Sequence, residues 1–448
     1  MTSRCKTALI AQAFLLVVLA GVAGSARAAA PPLDPPVNYT VKPGDTLIGL
    51  AKRYLVSRNA YRDVQSANHV RRTRKLKPGL VLAIPGALLR SEPITATIVA
   101  FSGPVTVELG KGSQPASLNM EVGQDSVVNT GANAFVTLQL PDESRITLPS
   151  QSRLRIARLR HILMTDGADR VFTIEHGRSE STVTPLPNPQ SRYLITTPVA
   201  SSAVRGTVFR VGFDEASGRA TTEVVKGLVG VAGSAASGTE AAVPEGFGAR
   251  TTADGAPVTL KLLPAPKIEN GGKDQQEPTL SFAVQPLPGA KTYRLQLAND
   301  AGFVDIFREA TFDTGAATFG TLPDGTYFVR ATAIDENGLE GLASVYSFTR
   351  ELNSISGGAP TAMGDARMRR YLFRWGAAGA GVKNFRFQLF DSPDAKTPLV
   401  DQPGLSDPLI TLTDLKSGDY YWRVIVSTFL KGRYTQKAGE LQQLHIGQ

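Results

Sequence analysis

The sequence predicts a mostly β protein with a small N-terminal βααβ domain, a central all-β domain and two C-terminal β-sandwich units. After residue 30, a helical period of apolar residues is evident only near residues 47–67. Short runs of alternating apolar residues follow, separated by turn signals, and an internal repeat occupies the last third of the chain. The central runs predict either a twisted solenoid or a sandwich.

The first thirty residues predict a secretory signal peptide. Arg4 and Lys6 precede an apolar run from residue 8 to residue 23, and small residues at 26–30 offer cleavage sites. An uncleaved N-terminal anchor is the alternative. No later segment holds 18 uninterrupted apolar residues, so we expect no membrane span after signal cleavage. The signal peptide predicts export to the periplasm or cell envelope.

Cysteine and histidine usage bears on the possible enzyme classes. Cys5 is the only cysteine and lies in the predicted signal peptide, so the mature chain should have neither a disulfide nor a thiol nucleophile. The histidines are too scattered for a zinc site, and no G-x-S-x-G motif is present. A carboxylate pair remains the only route to glycan cleavage. We therefore predict no catalytic residue, no metal site and no cofactor.

Residues 37–86 predict a strand–helix–helix–strand domain. Val37, Tyr39 and Val41 alternate as on a half-buried strand, and Asp45 and Thr46 are suitable helix N-caps. The next apolar residues fall on one helical face, and a second alternating run ends the segment. Those apolar residues are Leu47, Leu50, Ala51, Tyr54 and Leu55, followed by Leu80, Leu82 and Ile84.

The two ends of this segment, residues 39–47 and 76–85, resemble the LysM family. They read Tyr-Thr-Val-Lys-Pro-Gly-Asp-Thr-Leu and Leu-Lys-Pro-Gly-Leu-Val-Leu-Ala-Ile-Pro. The resemblance implies binding to peptidoglycan or a related N-acetylglucosamine polymer. In the alternative interpretation, Gly44 and Asp45 only form a turn and a cap. The glycan-binding residues that the resemblance implies are Gly44, Asp45, Thr46, Leu47, Lys77, Pro78 and Gly79.

Positive charge is concentrated in the same segment. The whole chain has a net charge of +9, and residues 37–90 hold eleven basic residues against Asp45 and Asp63. For an exported protein this predicts anionic envelope polymers as partners, and no nucleic acid. A solvated basic loop without a partner is the alternative. The predicted contacts are Arg71, Arg72, Arg74 and Lys75.

Residues 94–233 resemble the FecR domain. The resemblance lies in residues 103–107, 123–131, 135–148 and 197–209, with Glu143 at a turn position that favours glycine. It implies an all-β extracytoplasmic platform that meets a protein partner. The regulator after which the family is named also has a cytoplasmic segment and a membrane span. This sequence shows neither, so control of a sigma factor is not implied.

Arg205, Gly206 and Thr207 form the most recognisable FecR signature in the chain. We interpret Arg205 as a structural charge in an apolar setting, whose guanidinium ties turn carbonyls together. Gly206 would permit a close backbone approach. A contact with a carboxylate ligand or a partner is the alternative role for Arg205.

The last third of the chain repeats a pattern. Tyr293-Arg294-Leu295-Gln296 corresponds to Phe385-Arg386-Phe387-Gln388, and the Gly-x-Tyr segment at 325–327 corresponds to 418–420. The spacing predicts units at 278–352 and 363–448, which resemble fibronectin type III domains. Residues 234–277 are expected to be linker and connecting strands, and glycine-rich stretches predict linkers at 271–278 and 354–362.

Together these patterns predict a non-enzymatic adaptor of the periplasm or cell envelope. It would bind peptidoglycan through the LysM-like segment and present the FecR-like domain to an unknown envelope protein. Two alternatives stay open. One is an envelope-sensing signalling component that acts on a membrane sensor or regulator. The other is a cell-wall enzyme with an unrecognised carboxylate site.

Overall fold

The computed structural model describes residues 36–447, except 111, 235–239, 314 and 365–368. The signal peptide predicted at 1–30 lies outside these residues. The prediction of a mostly β chain with an N-terminal βααβ region is confirmed. Within the described part of the chain, every helix is too short or too polar to span a membrane.

The N-terminal module (residues 37–90) contains two strands and two helices. They are β1 (Val37–Thr40), α1 (Leu47–Tyr54), α2 (Tyr61–Ala67) and β2 (Val81–Ile84). β1 and β2 are antiparallel, and the predicted cap is present because Gly49 N donates to Thr46 Oγ1 at 2.9 Å. The core holds the helical residues predicted from the period, apart from the half-buried Tyr54. Its members include Leu47, Leu50, Ala51, Leu55, Leu82 and Ile84.

The module is packed directly onto the domain that follows. Ile162 and Met164, from a hairpin of the central domain, contact the module's core. Leu163 N of the same hairpin donates to Arg90 O at 3.2 Å. The module therefore completes its core with side chains more than 70 residues further along the chain.

The central domain (residues 91–261) consists of two β layers around one apolar core. The first layer contains β3 (Ser91–Pro93), β5 (Val105–Leu109), β6 (Gly112–Pro115), β8 (Val127–Thr130), β11 (Ser152–Ile162), β13 (Arg192–Thr196), β14 (Ala200–Val204), β17 (Leu228–Gly233) and β18 (Glu240–Pro244). The second contains β4 (Ala96–Ser102), β7 (Glu121–Val122), β9 (Phe135–Gln139), β10 (Arg145–Leu148), β15 (Val208–Asp214), β16 (Arg219–Lys226), β19 (Phe247–Thr252) and β20 (Val258–Lys261).

One long strand, β12 (Gly167–Thr182), belongs to both layers. Its first part pairs with β11 and β13, and its last part pairs with β10 and β15. The strand changes layer at Gly177, where φ is +79° and a Cβ atom would lie 2.4 Å from Gln151 O. Glycine is required there because any side chain would strike the neighbouring backbone. Of the two predicted architectures, the sandwich describes these layers.

The central domain extends beyond its predicted end at residue 233. β18 pairs with β17, β19 pairs with β16, and β20 pairs with β19. Val243 and Ala249 lie in the core shared by both layers. The predicted end at residue 233 lies too early, because strands of residues 240–261, within the stretch expected to be linker and connecting strands, belong to the sandwich.

Unit 1 and unit 2 (residues 274–350 and 354–446) are each built from two sheets. Unit 1 contains β21 (Asp274–Gln275), β22 (Leu280–Ala283), β23 (Thr292–Ala298), β24 (Ile306–Phe312), β25 (Ala316–Phe319), β26 (Gly325–Ile334) and β27 (Ser344–Arg350). Unit 2 contains β28 (Ser354–Gly357), β29 (Thr361–Met363), β30 (Arg370–Ala378), β31 (Val382–Phe390), β32 (Val400–Leu405), β33 (Leu409–Thr413), β34 (Gly418–Leu430), β35 (Arg433–Ala438) and β36 (Gln442–Ile446).

The two linkers predicted around unit 1 each contain short paired strands. β21 pairs in parallel with β27, and both β28 and β29 pair with β30. Unit 2 also contacts the end of unit 1, where Lys437 Nζ donates to Asn353 O at 2.8 Å and forms an ion pair with Glu277. The short glycine-rich stretches are therefore edge strands and junctions, which corrects the prediction.

The sequence repeat corresponds to a repeated cross-strand contact. In unit 1, Arg330 lies opposite Gln296, and its Nε donates to Gln296 Oε1 at 3.0 Å. In unit 2, Arg423 lies opposite Gln388, and its Nε donates to Gln388 Oε1 at 2.9 Å. The repeated tyrosines also agree, since Tyr327 and Tyr420 each donate a hydroxyl to the carbonyl four residues earlier at 3.1 Å.

A buried ionic network joins the central domain to unit 1. Glu340 Oε2 accepts from Arg178 Nη1 at 2.5 Å and from Arg294 Nη1 at 2.9 Å. Arg210 Nη1 donates to the carbonyls of Glu340 and Gly341 at 3.2 and 3.0 Å. Burial favours the neutral acid, but Arg294, Arg210 and Arg178 outweigh it and hold the pKa of Glu340 well below its ordinary value.

Glu223 is a second buried carboxylate in the same network. Its Oε1 accepts from the backbone N–H of Glu340 at 3.3 Å and lies 3.7 Å from Arg178 Nη2. Burial raises the pKa of Glu223 above its ordinary value, because the arginines compensate this carboxyl less well. Two neighbouring glutamates thus have pKa shifts of opposite sign.

Candidate functional site

Two loops of the N-terminal module lie side by side and form the candidate site. One loop, residues 42–46, joins β1 to α1, and the other, residues 77–80, leads into β2. Val41 N donates to Leu80 O, and Gly79 N donates to Val41 O, both at 2.8 Å. Gly44 and Gly79 have φ values of +86° and +85°, with open space where a Cβ atom would stand. The structure thus brings the two predicted segments together.

The outer rim of these loops offers polar groups to a ligand. Pro43, Gly44, Lys77 and Pro78 are exposed. In the described chain, the backbone N–H groups of Gly44 and Thr46 donate to no protein acceptor. Uncommitted amide donors on exposed loops are suited to the carbonyl oxygens of acetamido groups.

Asp45 holds the first loop from within. Its Oδ2 accepts from Tyr39 Oη and Lys42 N, both at 2.8 Å, and its Oδ1 accepts from Arg53 Nη2 at 2.9 Å. Burial opposes ionisation, but these donors outweigh it and lower the pKa of Asp45. Burial also raises the pKa of Tyr39 to about 12, with Asp45 adding to the effect. The Asp45 carboxylate therefore stabilises the conformation of the loop, and both of its oxygens already accept hydrogen bonds from the protein.

Thr46 and Leu47 also support the loop from inside. The Thr46 hydroxyl caps α1, while Leu47 is buried in the core and its N–H donates to Thr73 O at 2.9 Å. Of the predicted residues, Gly44, Lys77, Pro78 and Gly79 remain exposed. The side chains of Asp45, Thr46 and Leu47 are turned to structural contacts.

Ile48 and Leu80 are exposed apolar residues of the same two segments. The sequence analysis did not single out Ile48, and it placed Leu80 in the alternating strand, but β2 begins only at Val81. Ile48 follows the cap of α1, and Leu80 follows Gly79 directly. Exposed aliphatic side chains beside free amide donors provide a surface for the apolar faces of sugar rings. The sequence could have indicated that Ile48 is exposed, because Ile48 lies off the helical face formed by Leu47, Leu50 and Ala51.

The basic loop, residues 71–75, adjoins the site. The bond from Leu47 N to Thr73 O ties it to the start of α1. The four predicted contacts are exposed, and none forms an ion pair with a described carboxylate. Positive charge therefore stands beside the two loops without internal neutralisation. These side chains are Arg71, Arg72, Arg74 and Lys75.

The FecR signature lies in a turn after β14 and not in a buried strand. Arg205 is exposed and donates to one turn carbonyl, that of Pro189, so the apolar setting expected for its charge is wrong. The strand ends at Val204, and the guanidinium therefore reaches solvent. Gly206 has a φ of +105°, and a Cβ atom there would lie 2.7 Å from Pro185 Cα. Thr207 is buried.

These three residues line a cavity of about 630 Å³ between the N-terminal module and the central domain. Val37 and Leu89 form part of the wall on the module's side. No group of three or more His, Cys, Asp or Glu side chains suited to a metal ion occurs among the residues that the structure describes.

Two family models match the chain. Residues 39–85 match the LysM domain, and residues 126–230 match the FecR protein family. The chain carries a LysM domain and a FecR domain. The LysM domain coincides with the N-terminal module, and the FecR match lies within the central domain. Both families are non-enzymatic kinds of domain. No curated protein matches the chain.

Several solved structures share local similarity. A candidate anti-sigma factor from Parabacteroides distasonis is 15% identical, with a TM-score of 0.25, over 30% of this chain and 59% of that one. Fibronectin(III)-like modules of Clostridium thermocellum CbhA are 14% identical, with a TM-score of 0.19, over 40% of this chain and 90% of theirs. A candidate carbohydrate-binding protein from Bacteroides uniformis is 14% identical, with a TM-score of 0.15, over 36% and 92%.

Proposed function

We propose that the protein is a non-enzymatic adaptor of the periplasm or cell envelope that binds peptidoglycan through its LysM domain. The observation that carries the proposal is the pair of adjacent open loops, with free N–H groups at Gly44 and Thr46. These loops lie in the segment that matches the LysM family. The FecR domain is then presented to a protein partner in the envelope.

In the proposed complex, a glycan strand lies across the two loops. Acetamido carbonyl oxygens accept from the free N–H groups, while sugar rings contact Ile48 and Leu80. Lys77, Pro78 and Gly79 form the second wall. Asp45, bound by Tyr39 and Arg53, keeps the first wall in place without touching the sugar. A loop that is already ordered loses less conformational entropy on binding.

The basic loop adds attraction to anionic groups. Peptide carboxylates of the wall and phosphates of envelope polymers both carry negative charge. Exposed charges interact over about 8 Å at physiological ionic strength, so this contribution falls as salt rises. The loop raises affinity, while the uncharged groups of the two loops select the glycan.

A second candidate function is an envelope-sensing component that acts on a membrane sensor or regulator. The FecR match at 126–230 favours it, because this region is the part of the chain that resembles signalling proteins. In this role the LysM domain holds the protein at the cell wall, and the central domain contacts the membrane sensor or regulator. Capture of a membrane-bound regulator by the central domain would distinguish signalling from passive anchoring.

The test is sedimentation of the mature chain, residues 31–448, with purified peptidoglycan. Ile48→Asp and Leu80→Asp should each leave the protein in the supernatant. Val56→Asp is the matched control, because Val56 is an exposed apolar residue of the same domain outside the two loops. The proposal fails if the unsubstituted chain does not sediment, or if the control loses binding equally. Release of soluble fragments from labelled sacculi would overturn the non-enzymatic assignment.

A further inference from the structure

We propose that one end of unit 2 binds the surface of an anionic phospholipid bilayer. This surface, the unit-2 tip, consists of Val382, Phe429, Lys431, Arg433 and Tyr434. It lies where the β34–β35 hairpin turns and β31 begins. It is separate from the LysM loops, so the inference does not depend on glycan binding.

Three apolar side chains of the unit-2 tip form one row across three strands. Phe429 of β34 pairs with Val382 of β31 on one side and with Tyr434 of β35 on the other. Residues directly opposite in adjacent strands share a face of the sheet. Val382 is 70% exposed, Phe429 54% and Tyr434 63%. The neighbouring Thr428 points to the opposite face and is buried, so the row faces solvent.

The row lies beside a tight turn and forms no groove. Lys431 and Gly432 connect β34 to β35 with φ values of +48° and +78°, as in a two-residue hairpin turn. The adjacent loop, residues 379–381, reads Gly-Ala-Gly and adds no bulk. The unit-2 tip is therefore an exposed sheet end that can approach a flat surface.

Charge at the unit-2 tip is positive and unneutralised. Neither Lys431 nor Arg433 pairs with a carboxylate in the described chain. Residues 371–390 and 420–439, which include the strands of the tip, contain no Asp or Glu. Elsewhere in unit 2, Arg386 pairs with Asp401 and Lys437 with Glu277 of unit 1. The two basic residues of the tip therefore keep their charge uncompensated.

This combination suits a lipid interface better than a sugar or a protein. Aromatic side chains favour the headgroup boundary, and lysine and arginine are attracted to anionic lipids. The polar side chains next to the apolar row, Ser427 and Gln436, bind each other. Gln436 Nε2 donates to Ser427 Oγ at 3.1 Å and to Tyr434 Oη at 3.0 Å. These side chains are therefore not free to bind sugar hydroxyls. A stable protein interface needs about 800 Å² on each partner, more than one row of three side chains offers.

The test uses the mature chain carrying Arg71→Gln, Arg72→Gln and Arg74→Gln, so that the basic loop of the LysM domain does not contribute. This parent is sedimented with phosphatidylglycerol-containing vesicles and with pure phosphatidylcholine vesicles. We expect binding to the anionic vesicles alone, weakened by salt. The double substitution Phe429→Ser/Tyr434→Ser should reduce the bound-to-free ratio about tenfold. Lys431→Gln/Arg433→Gln should also reduce binding.

The matched control is Leu118→Ser, which removes an exposed apolar side chain from the central domain and should leave binding unchanged. Thermal unfolding of each variant shows whether the fold is retained. The proposal is overturned if the parent does not sediment with anionic vesicles. It is also overturned if folded tip variants bind these vesicles with the same bound-to-free ratio as the parent. Equal binding to both lipid types also overturns it. Loss of peptidoglycan sedimentation in the tip variants, with vesicle binding intact, would assign the tip to glycan instead.

Discussion

Arg178 and Glu340 form a buried ion pair between two domains, with Nη1 and Oε2 2.5 Å apart. Arg178 belongs to the long strand that crosses the layers of the central domain, and Glu340 follows β26 of unit 1. Arg294 of unit 1 binds the same carboxylate oxygen. A carboxylate shared in this way couples the two domains, because separating them leaves charged groups without partners.

Glu340→Gln should destabilise the central domain and unit 1 together. Removing one partner of a buried ion pair typically costs about 3–5 kcal/mol. Denaturant unfolding of the mature chain should show this loss in the transition that includes both domains. Glu336→Gln is the control, because Glu336 is exposed on the same turn. Equal stability of the two variants would mean that Glu340 does not hold the interface.

The two buried glutamates should respond to pH with opposite sign. The lowered pKa of Glu340 means that its ionised form stabilises the fold above the unfolded pKa, about 4.3, and that this stabilisation is lost as pH falls through the folded pKa. The raised pKa of Glu223 means that its ionisation opposes folding as pH rises through the folded pKa. Unfolding measured between pH 4 and 7 should therefore show that Glu223→Gln costs less at pH 7 than Glu340→Gln. The reverse order would contradict the assignment.

Ile162→Ala should destabilise the LysM domain although Ile162 belongs to the central domain. The substitution leaves a cavity in the module's core, and such changes cost about 2–5 kcal/mol. Hydrogen exchange should become faster in α1. Ile162→Val is the graded control, with an expected loss of about 0.5–1.5 kcal/mol. A fragment of residues 31–92 should also be less stable than the same domain within the chain.

Asp45→Asn should loosen the first loop of the LysM domain at neutral pH. Hydrogen bonds to a charged group contribute about 1.5–3 kcal/mol, and the substitution removes that charge. Because the pKa of Asp45 is lowered in the folded state, the difference from the unsubstituted chain should shrink as pH falls through that pKa. Asp63→Asn is the control, since Asp63 is exposed. A pH-independent difference would argue against an ionised Asp45.

Replacing Arg71, Arg72 and Arg74 with glutamine should flatten the salt dependence of peptidoglycan binding. The exposed charges act over about 8 Å at physiological salt, and their removal leaves the uncharged contacts. Sedimentation at increasing salt measures the slope. The matched variant replaces Lys52, Arg58 and Arg62, which are exposed elsewhere in the same domain. An unchanged slope for the first variant would show that its arginines contact only solvent.

The sequence predicted the LysM domain well because local signals agree there. The helical period of Leu47, Leu50 and Ala51 and the cap at Thr46 each specify nearby structure. The repeat near Gln296 and Gln388 likewise located equivalent strands. The turn at Glu143 was also recognisable from nearby residues. Its φ of +66° explains why that position favours glycine.

The interfaces between domains could not be predicted in the same way. Glu340 meets Arg178 and Arg210 across more than 100 residues, and nothing near Glu340 in the sequence marks it as buried. Alternating strands carry the same pattern in either layer of a sandwich, so they do not show which face a charged residue meets. For this reason the apolar residues around Arg205 suggested an apolar setting, although Arg205 is exposed. Short edge strands such as β21 and β28 resemble linkers because they are rich in polar residues and glycine.

The insertion of Ile162 and Met164 into the LysM core also has a mechanical consequence. Tension applied to the LysM domain cannot move it independently of the central domain. It must first pull these side chains from their pocket and separate β3 from β11, a pairing of only three residues on each strand. Load on the LysM domain therefore reaches the central domain through this junction.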